Sequence, residues 1–439
     1  MYITKVDIKN IRAISHFEMT FDKPAGWHVL IGDNGAGKTS ILQAIALGIA
    51  ERFTTHEISF YARFYISKWL RQGTKSGKIK LSIVGDQLKD DYEEKAPPTV
   101  DVNAPSNTAL EITPTYWRQA DAANSKGGYL EFRRNKVLKN GDVDVVKYGW
   151  FAASFGAFRR FGRDDGNLEN FEVSVPRFAA HLSLFGDNVA FPNTLTWLID
   201  LHVKKLEKEE IETEILDALI KFINQSQIFP NGMKVESISS KGIFFKNEEG
   251  NVMDLSELSD GYRSVIALTL ELIRQLIRAF DHKKVFTQIL KGNNSIDLPG
   301  VVLIDEIDAH LHPTWQTRVG QWFTKYFPNI QFIVTTHSPL VCRACENGSI
   351  WRLAAPGSGH ESGEITGTDR NRLIYGNILD AYGTEVFGSE PVRSKESEDK
   401  LSKLEQLNIK FALGKTTKSE ETERLTLQQI LSTDTPTGF

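Results

Sequence analysis

Eight residues, Gly32-Asp33-Asn34-Gly35-Ala36-Gly37-Lys38-Thr39, set glycines, a lysine and a hydroxyl at the spacing of a phosphate loop, GxxxxGK[ST]. Glycines lack Cβ atoms, so the chain can curl and aim successive N–H groups at one phosphate. Lys38 offers a point charge to the β- and γ-phosphates, and the Thr39 hydroxyl can bind Mg²⁺. Residues Asp33, Asn34, Gly35, Ala36, Gly37, Lys38, Thr39 and Ser40 are therefore expected to line the phosphates of a nucleotide.

A second stretch, Val301 to Ile304 followed by Asp305 and Glu306, is an apolar run ending in two carboxylates. Asp305 can hold Mg²⁺ through water, and Glu306 can orient and deprotonate an attacking water. A third, "IQFIVTTHSPL", ends another apolar run in Thr335, Thr336, His337 and Ser338. A histidine there can hydrogen-bond a γ-phosphate or the lytic water. The fourth, "LSELSDGYRS" at 255–264, leaves two readings open. Ser259 is either an ordinary helix N-cap, or it and Gly261 form an anion site at a helix N-terminus.

These groups need elements to hold them. Val29 to Ile31 read as a strand entering the loop, and Ile41, Ile45, Leu47 and Ile49 as the helix leaving it. The unbroken run Val301–Ile304 suits a strand buried on both faces of a parallel sheet, whose C-terminal edge is where ligand chemistry is placed. From Tyr262 to about Phe280 a broad apolar stripe predicts a buried helix. The N-terminal "MYITKVDIKNIRAISHFEMTF" alternates as two strands and lacks a signal-peptide core. Strands are expected at 78–85, 107–112 and 128–134, and helices at 194–206 and 209–225. Leu311-His312 of "HLH" is expected in a turn rather than as a metal pair.

The chain has 439 residues, 41% hydrophobic and 25% charged, with a net charge of −4, which argues against a uniformly basic nucleic-acid coat. No run approaches the ~20 apolar residues of a membrane span, so a cytoplasmic protein without a membrane contact is expected. The only cysteines, Cys342 and Cys345, have no second pair to complete a zinc site and are expected reduced on a short helix.

Taken in order, the phosphate loop, "LSDGYRS", "VVLIDE" and "TTHSP" resemble the ABC-type ATPase heads of the SMC, RecF and OLD group. The resemblance implies an α/β P-loop ATPase head with a compact inserted helical/β region and a C-terminal helical tail. It implies that Ser259 and Gly261 meet the γ-phosphate of ATP seated on another copy's Lys38, so that heads pair head to head. In "KNIRAI", Arg12 resembles the family's Asn-aromatic-Arg motif near the nucleotide, with Ile11 in place of the aromatic. Asp260 stands where transporter ATPases usually carry Gly. No glutamine of the Q-loop kind can be placed. More than two hundred residues separate Thr39 from Leu258, without the sustained heptads of an SMC coiled coil.

"WFAASFGAFRRFGRDDGN", Trp197-Leu198, "LSDGYRS" and the tail "KLEQLNIKFALGKTTKSEETERL" are similar to a narrower group, the ATPase subunits of bacterial anti-phage systems of the Septu, PARIS and retron-linked types. That likeness implies a homo-oligomer, of head-to-head dimers up to a hexamer-like assembly, with a separate nuclease subunit of HNH or TOPRIM type. Arg159 and Arg160 are open between a phosphate or DNA contact and a salt-bridged surface.

The expected division is a first ATPase lobe at 1–85, an insertion at 86–230, a second lobe at 231–360 and a helical tail at 361–439. Three functions compete: an ATP-driven sensor or scaffold restraining a nuclease, a DNA-repair ATPase acting on DNA directly, and a transporter motor. The long insertion and Asp260 disfavour the last. A self-contained OLD nuclease would need a TOPRIM domain after His337, and no strand-borne Glu followed by Asp-x-Asp is seen there. In the tail, Leu401, Leu404, Leu407 and Phe411 recur at helical spacing, Gly414 suits a stop, and Thr417 with Glu420 makes a capping box for a second helix carrying Leu425 and Ile430.

Overall fold

A computed structural model describes residues 1–49, 69–74, 76–84, 110–118, 128–135, 151–157, 159, 179–186, 192–229, 232–239, 242–354, 361–376 and 395–431. The acidic, proline-bearing stretch at 85–107, residues 107–109 of one expected strand, and Arg160 lie outside them. The chain divides into two compact units, Met1–Ile378 and Leu379–Phe439.

The first unit is built on a six-stranded sheet ordered β14-β13-β3-β12-β11-β7. Its inner strands are β3 (Gly26–Gly32), β12 (Ile330–Thr336) and β11 (Gly300–Ile304), flanked by β7 (Ala152–Phe155) and β13 (Gly348–Leu353). All five run parallel, and only β14 (Gly363–Glu364) is antiparallel. Every residue of β11 and β12 is buried, which is why β11 reads as a continuous apolar run and β12 as one interrupted by Gln331 and ending in Thr335 and Thr336, rather than as alternating strands.

A second sheet, antiparallel, runs β2-β1-β4-β5-β6. It comprises β1 (Tyr2–Ile11), β2 (Ile14–Thr20), β4 (Ser76–Val84), β5 (Leu110–Arg118) and β6 (Gly128–Asn135). Helix α1 (Lys38–Ile49) touches β1 and β4 of this sheet and β3, β11 and β12 of the other. A helix covered on two faces is mostly apolar, and all of its residues but Thr39 are buried, the polar Lys38, Ser40 and Gln43 among them with hydrogen-bond partners. The two sheets are also tied directly. The buried Gln331 side chain accepts from Ile3 N–H at 2.8 Å and donates to Ile3 C=O at 2.9 Å. It thereby satisfies the backbone where the β1–β4 register shifts between Ile3 and Lys5.

Helices α2 (Pro192–Leu206) and α3 (Glu210–Gln225) pack on each other and against β8 (Lys234–Ser239), which with β9 (Gly242–Lys246) and β10 (Val252–Asp254) makes a three-stranded sheet ordered β10-β9-β8. Helix α4 (Asp260–Phe280) presents the wide buried stripe its sequence predicts. Its polar members Glu271, Arg274 and Gln275 are buried as well. Glu271 accepts from Arg274 Nε at 2.8 Å and from Gln275 Nε2 at 2.6 Å, and also from Thr194 of α2. Inside a protein such a group is tolerated because its lone pairs are all used.

The second unit contains a helical hairpin, α5 (Lys395–Ala412) and α6 (Lys418–Leu431). Gly414 adopts φ +65° at the stop. The capping box forms as its sequence implies: Glu420 N–H donates to Thr417 Oγ1 at 3.3 Å and Thr417 N–H to Glu420 Oε2 at 2.9 Å. The apolar seam differs from the expected one. Leu404, Leu407 and Leu427 are buried together, while Phe411, Leu425 and Ile430 are exposed. Starting α6 at Lys418 sets its phase so that Leu427 faces α5 and Leu425 does not.

Candidate functional site

The strand order decides which chain ends meet. β12 lies between β3 and β11, so the ends of the three chemistry-bearing strands are neighbours. β3 ends at the phosphate loop, β11 at Asp305 and β12 at His337.

In the loop, Gly35 has φ +77° and Gly37 φ +102°, backbone that L side chains rarely adopt. A Cβ on Gly35 would meet nothing within 4 Å, and one on Gly37 would touch the Ile14 side chain at 3.4 Å, so the positive φ rather than crowding is what calls for glycine at both positions. Asp33, Asn34 and Gly35 are exposed, while Ala36, Lys38 and Ser40 are buried. Lys38 Nζ donates to Gly32 C=O at 2.7 Å and Asp33 C=O at 3.0 Å, which holds the ammonium across the loop's mouth. Burial pushes its pKa down, and Asp305, Glu306, Asp33 and Asp308 pull against that shift.

Thr39 Oγ1 donates to Asp305 Oδ2 at 2.8 Å, joining the first turn of α1 to the end of β11. Asp305 Oδ1 accepts from Thr335 Oγ1 at 2.5 Å, and Thr335 Oγ1 accepts in turn from Glu306 N–H at 2.7 Å. A hydroxyl and a carboxylate so placed are hard oxygen donors of the kind Mg²⁺ takes, so the residues fit the ion. With Mg²⁺ bound, the ion would offset phosphate charge; Thr39 and Asp305 would hold it and Thr335 would keep Asp305 in place.

Glu306 has φ +46°, a left-handed conformation that favours glycine and costs another residue on the order of 1–3 kcal/mol. His310, four residues on, has φ +64°. Between them Asp308 accepts from Thr336 Oγ1 at 2.6 Å and from His337 N–H at 3.4 Å. The turn after β11 is therefore pinned to the end of β12, and the His337 ring stands exposed beside it. Ser338 Oγ donates to Gln316 Oε1 at 2.7 Å.

Arg12 has φ +48° and reaches α1, where its guanidinium donates to Gln43 Oε1 at 2.7 Å and to Ser40 Oγ at 3.3 Å, with Trp69 stacked 4.4 Å away. It borders the phosphate loop through Ser40 rather than standing free on the surface.

Ser259 occupies the N-cap position of α4, as expected, but its side chain makes no capping bond and it is exposed. Asp260 is turned aside onto Arg263. A Cβ on Gly261 would lie 2.7 Å from the His310 carbonyl oxygen, so glycine there permits the signature helix to touch the turn after Glu306. Ser259 and Gly261 do not share the pocket of the chain's own Lys38 by any described contact.

Two readings are corrected. Arg159 is neither surface nor phosphate contact: it is 3% exposed and bonded to backbone. Thr335, Asp308, Gln316 and Ser264, given no role by sequence, hold the site's parts together. Their only sequence signal is position, a hydroxyl or carboxylate within a few residues of a motif at a strand end. Elsewhere, His312 caps the short helix Pro313–Gln316 through Thr314 N–H, consistent with a turn. Cys342 and Cys345 are buried and burial pushes both thiols up, so neither is a ready nucleophile. Among the described residues the grouping that could share an ion is Asp7, His16 and Glu18 on β1 and β2, where Lys5 and Lys9 already pair with the carboxylates. No helix among the described residues is long and apolar enough to cross a membrane.

A parallel sheet whose central strand delivers a phosphate loop, with a carboxylate pair and a Thr-Thr-His-Ser edge beside it, defines an α/β P-loop ATPase head. The chain belongs to the family described as "AAA domain, putative AbiEii toxin, Type IV TA system", whose model matches residues 28–343. It is 32% identical over 407 residues to the retron Ec83 probable ATPase of Escherichia coli, covering 80% of this chain and 71% of that protein. It is 28% identical to the Septu protein PtuA of Bacillus mycoides (strain KBAB4), over 80% of this chain, and spans only 40% of that relative's length. A solved SMC head bound to the C-winged helix domain of ScpA aligns over 83% of this chain and 98% of its own, at 15% identity and a TM-score of 0.48.

Proposed function

We propose that the chain binds ATP with Mg²⁺ and hydrolyses it slowly at a site completed by a second copy, as the sensor or scaffold subunit of a bacterial anti-phage system. In this reading it controls a nuclease made as a separate HNH or TOPRIM subunit and cuts nothing itself. The observation that best supports the ATPase reading is the continuous bond chain from Thr39 through Asp305 and Thr335 to the Glu306 N–H, which in this reading holds a metal ligand next to a base. The uncapped, exposed Ser259 supports the shared site, because its hydroxyl is spare for a γ-phosphate. The defence role is supported by the likeness to a Septu protein and a retron ATPase.

The shared site has a direct test. Lys38→Ala protein keeps an intact signature, and Ser259→Arg protein keeps an intact phosphate loop. Mixed oligomers of the two rebuild some complete sites, so ATPase activity partly returns on mixing. No recovery in oligomers verified to contain both chains makes "LSDGYRS" a helix start and nothing more. ATP hydrolysis stimulated by DNA in the absence of any nuclease would instead favour a repair ATPase.

The α5–α6 hairpin is assigned to docking, either of neighbouring copies or of the nuclease subunit. It buries only three leucines and leaves Ile409, Phe411, Leu413, Leu425 and Ile430 exposed. Deleting 395–439 is expected to abolish oligomers or nuclease co-purification while ATP binding and melting temperature persist. A truncated chain that unfolds, or assembles and binds as before, overturns that assignment.

A further inference from the structure

Arg159 follows β7, the strand beside β11, and spends all five of its N–H donors on the neighbouring backbone and one hydroxyl. Nε donates to Ser264 Oγ at 3.1 Å. Nη1 donates to Gly156 C=O at 3.1 Å and to Asp305 C=O at 2.6 Å. Nη2 donates to Glu306 C=O at 2.8 Å and to Ile307 C=O at 3.5 Å. The guanidinium is buried and no donor remains for a phosphate. Three consecutive carbonyls around Glu306 thus converge on one rigid fork, and the fork's remaining edge grips the second turn of α4.

Glu306 is the residue that most needs such a grip, because its left-handed backbone would relax if its carbonyl were released. Arg159 bonds its backbone and never its carboxylate, so it acts on the base through the main chain. α4 touches the same turn a second time where Gly261 meets the His310 carbonyl. The first turns of α4 and the Asp305–His310 turn are therefore joined at two points.

We propose that Arg159 is the positioning residue for Glu306, tying its backbone to Ser264 so that the carboxylate's placement follows the position of the signature helix. This rests on the ATPase reading above and deepens it. A signature helix engaged by a second copy's nucleotide would reset the base of its own head by way of Ser264 and Arg159.

The test uses the full chain with Arg159→Lys, Ser264→Ala, and each of these combined with Glu306→Gln. Lysine keeps the charge but cannot span the five acceptors. A fluorescent ATP analogue reads affinity, phosphate release reads kcat, and thermal melting reads integrity. Arg159→Lys is expected to lower kcat at least about tenfold and Ser264→Ala about threefold, with nucleotide affinity close to the parent's. In the Glu306→Gln background either change should lower kcat by less than about twofold further, because both act through that side chain. If Arg159→Lys fails to fold, Ser264→Ala carries the test alone. Parental kcat in the folded variants overturns the proposal. So does a parallel loss of affinity and melting temperature, which marks a plain structural role, or a full multiplicative loss on top of Glu306→Gln. A parent chain that hydrolyses no more ATP than Lys38→Ala sinks the ATPase reading and this inference together; a hydrolysing parent with unaffected variants sinks only the inference.

Discussion

Glu306→Gln is expected to bind ATP as the parent does and to release phosphate about 10²–10⁴ times more slowly, the range a positioned general base contributes. The substitution keeps the side chain's length and shape and removes the proton acceptor. It leaves the backbone N–H bonded to Thr335 Oγ1 and the carbonyl bonded to Arg159, so the turn is not disturbed. Asp305 also keeps both its hydroxyl partners, which is why nucleotide affinity should persist. Single-turnover phosphate release beside a binding titration separates the two effects. If the variant turns over like the parent, Glu306 is not the base, and the left-handed backbone at that position loses its functional explanation.

Lys38→Ala should act on binding instead. Losing one charge-assisted contact is worth about 1.5–3 kcal/mol, roughly ten- to a hundredfold in ATP affinity. The structure adds a reason for expecting the upper part of that range. Asp33, Asp305, Glu306 and Asp308 all act on Lys38, and removing the ammonium leaves their charge to face the incoming triphosphate alone. The variant should keep the parent's melting temperature, since Nζ bonds only the Gly32 and Asp33 carbonyls, at a loop mouth that water can reach once the ammonium is gone. Unchanged affinity with the fold intact would place the triphosphate somewhere other than this loop.

Much of the site is legible because it is local. A phosphate loop is a contiguous strand, turn and helix, so the loop and α1 can be read from Gly32 to Ile49 without knowing what surrounds them. The same is true of the Thr417–Glu420 capping box, whose bonds form between residues three apart. Runs such as Val301–Ile304 announce full burial by having no polar alternation. The expected strands and helices at 78–85, 128–134, 194–206 and 209–225 correspond to β4, β6, α2 and α3, and β4 shows the opposite signal, a burial that alternates along the strand. The tail's seam is less legible, because six apolar residues on two short helices can face several ways. Which of them pack is set by the phase between the helices, not by either helix alone.

The sequence by itself laid out the chemistry to be expected: glycines and a lysine for phosphate, Thr39 and Asp305 for a divalent cation, Glu306 for a water, and a hydroxyl at Ser259 open between a helix cap and an anion site, which only the structure shows to be uncapped. What only the tertiary structure decided is which of these groups are neighbours and what holds them. Asp305 and Thr39 are 266 residues apart in the chain and share a hydrogen bond because α1, leaving β3, packs across β12 onto β11. Arg159 reads from sequence as one of two adjacent arginines with several plausible partners. Its acceptors come from residues 105 to 148 positions later, apart from Gly156 beside it. A guanidinium carries no local signal of where it will bond, since its reach exceeds that of any helix or strand period. Only the packing of β7, β11 and α4 around it turns that arginine from a surface charge into a buried fork on the backbone of the candidate base.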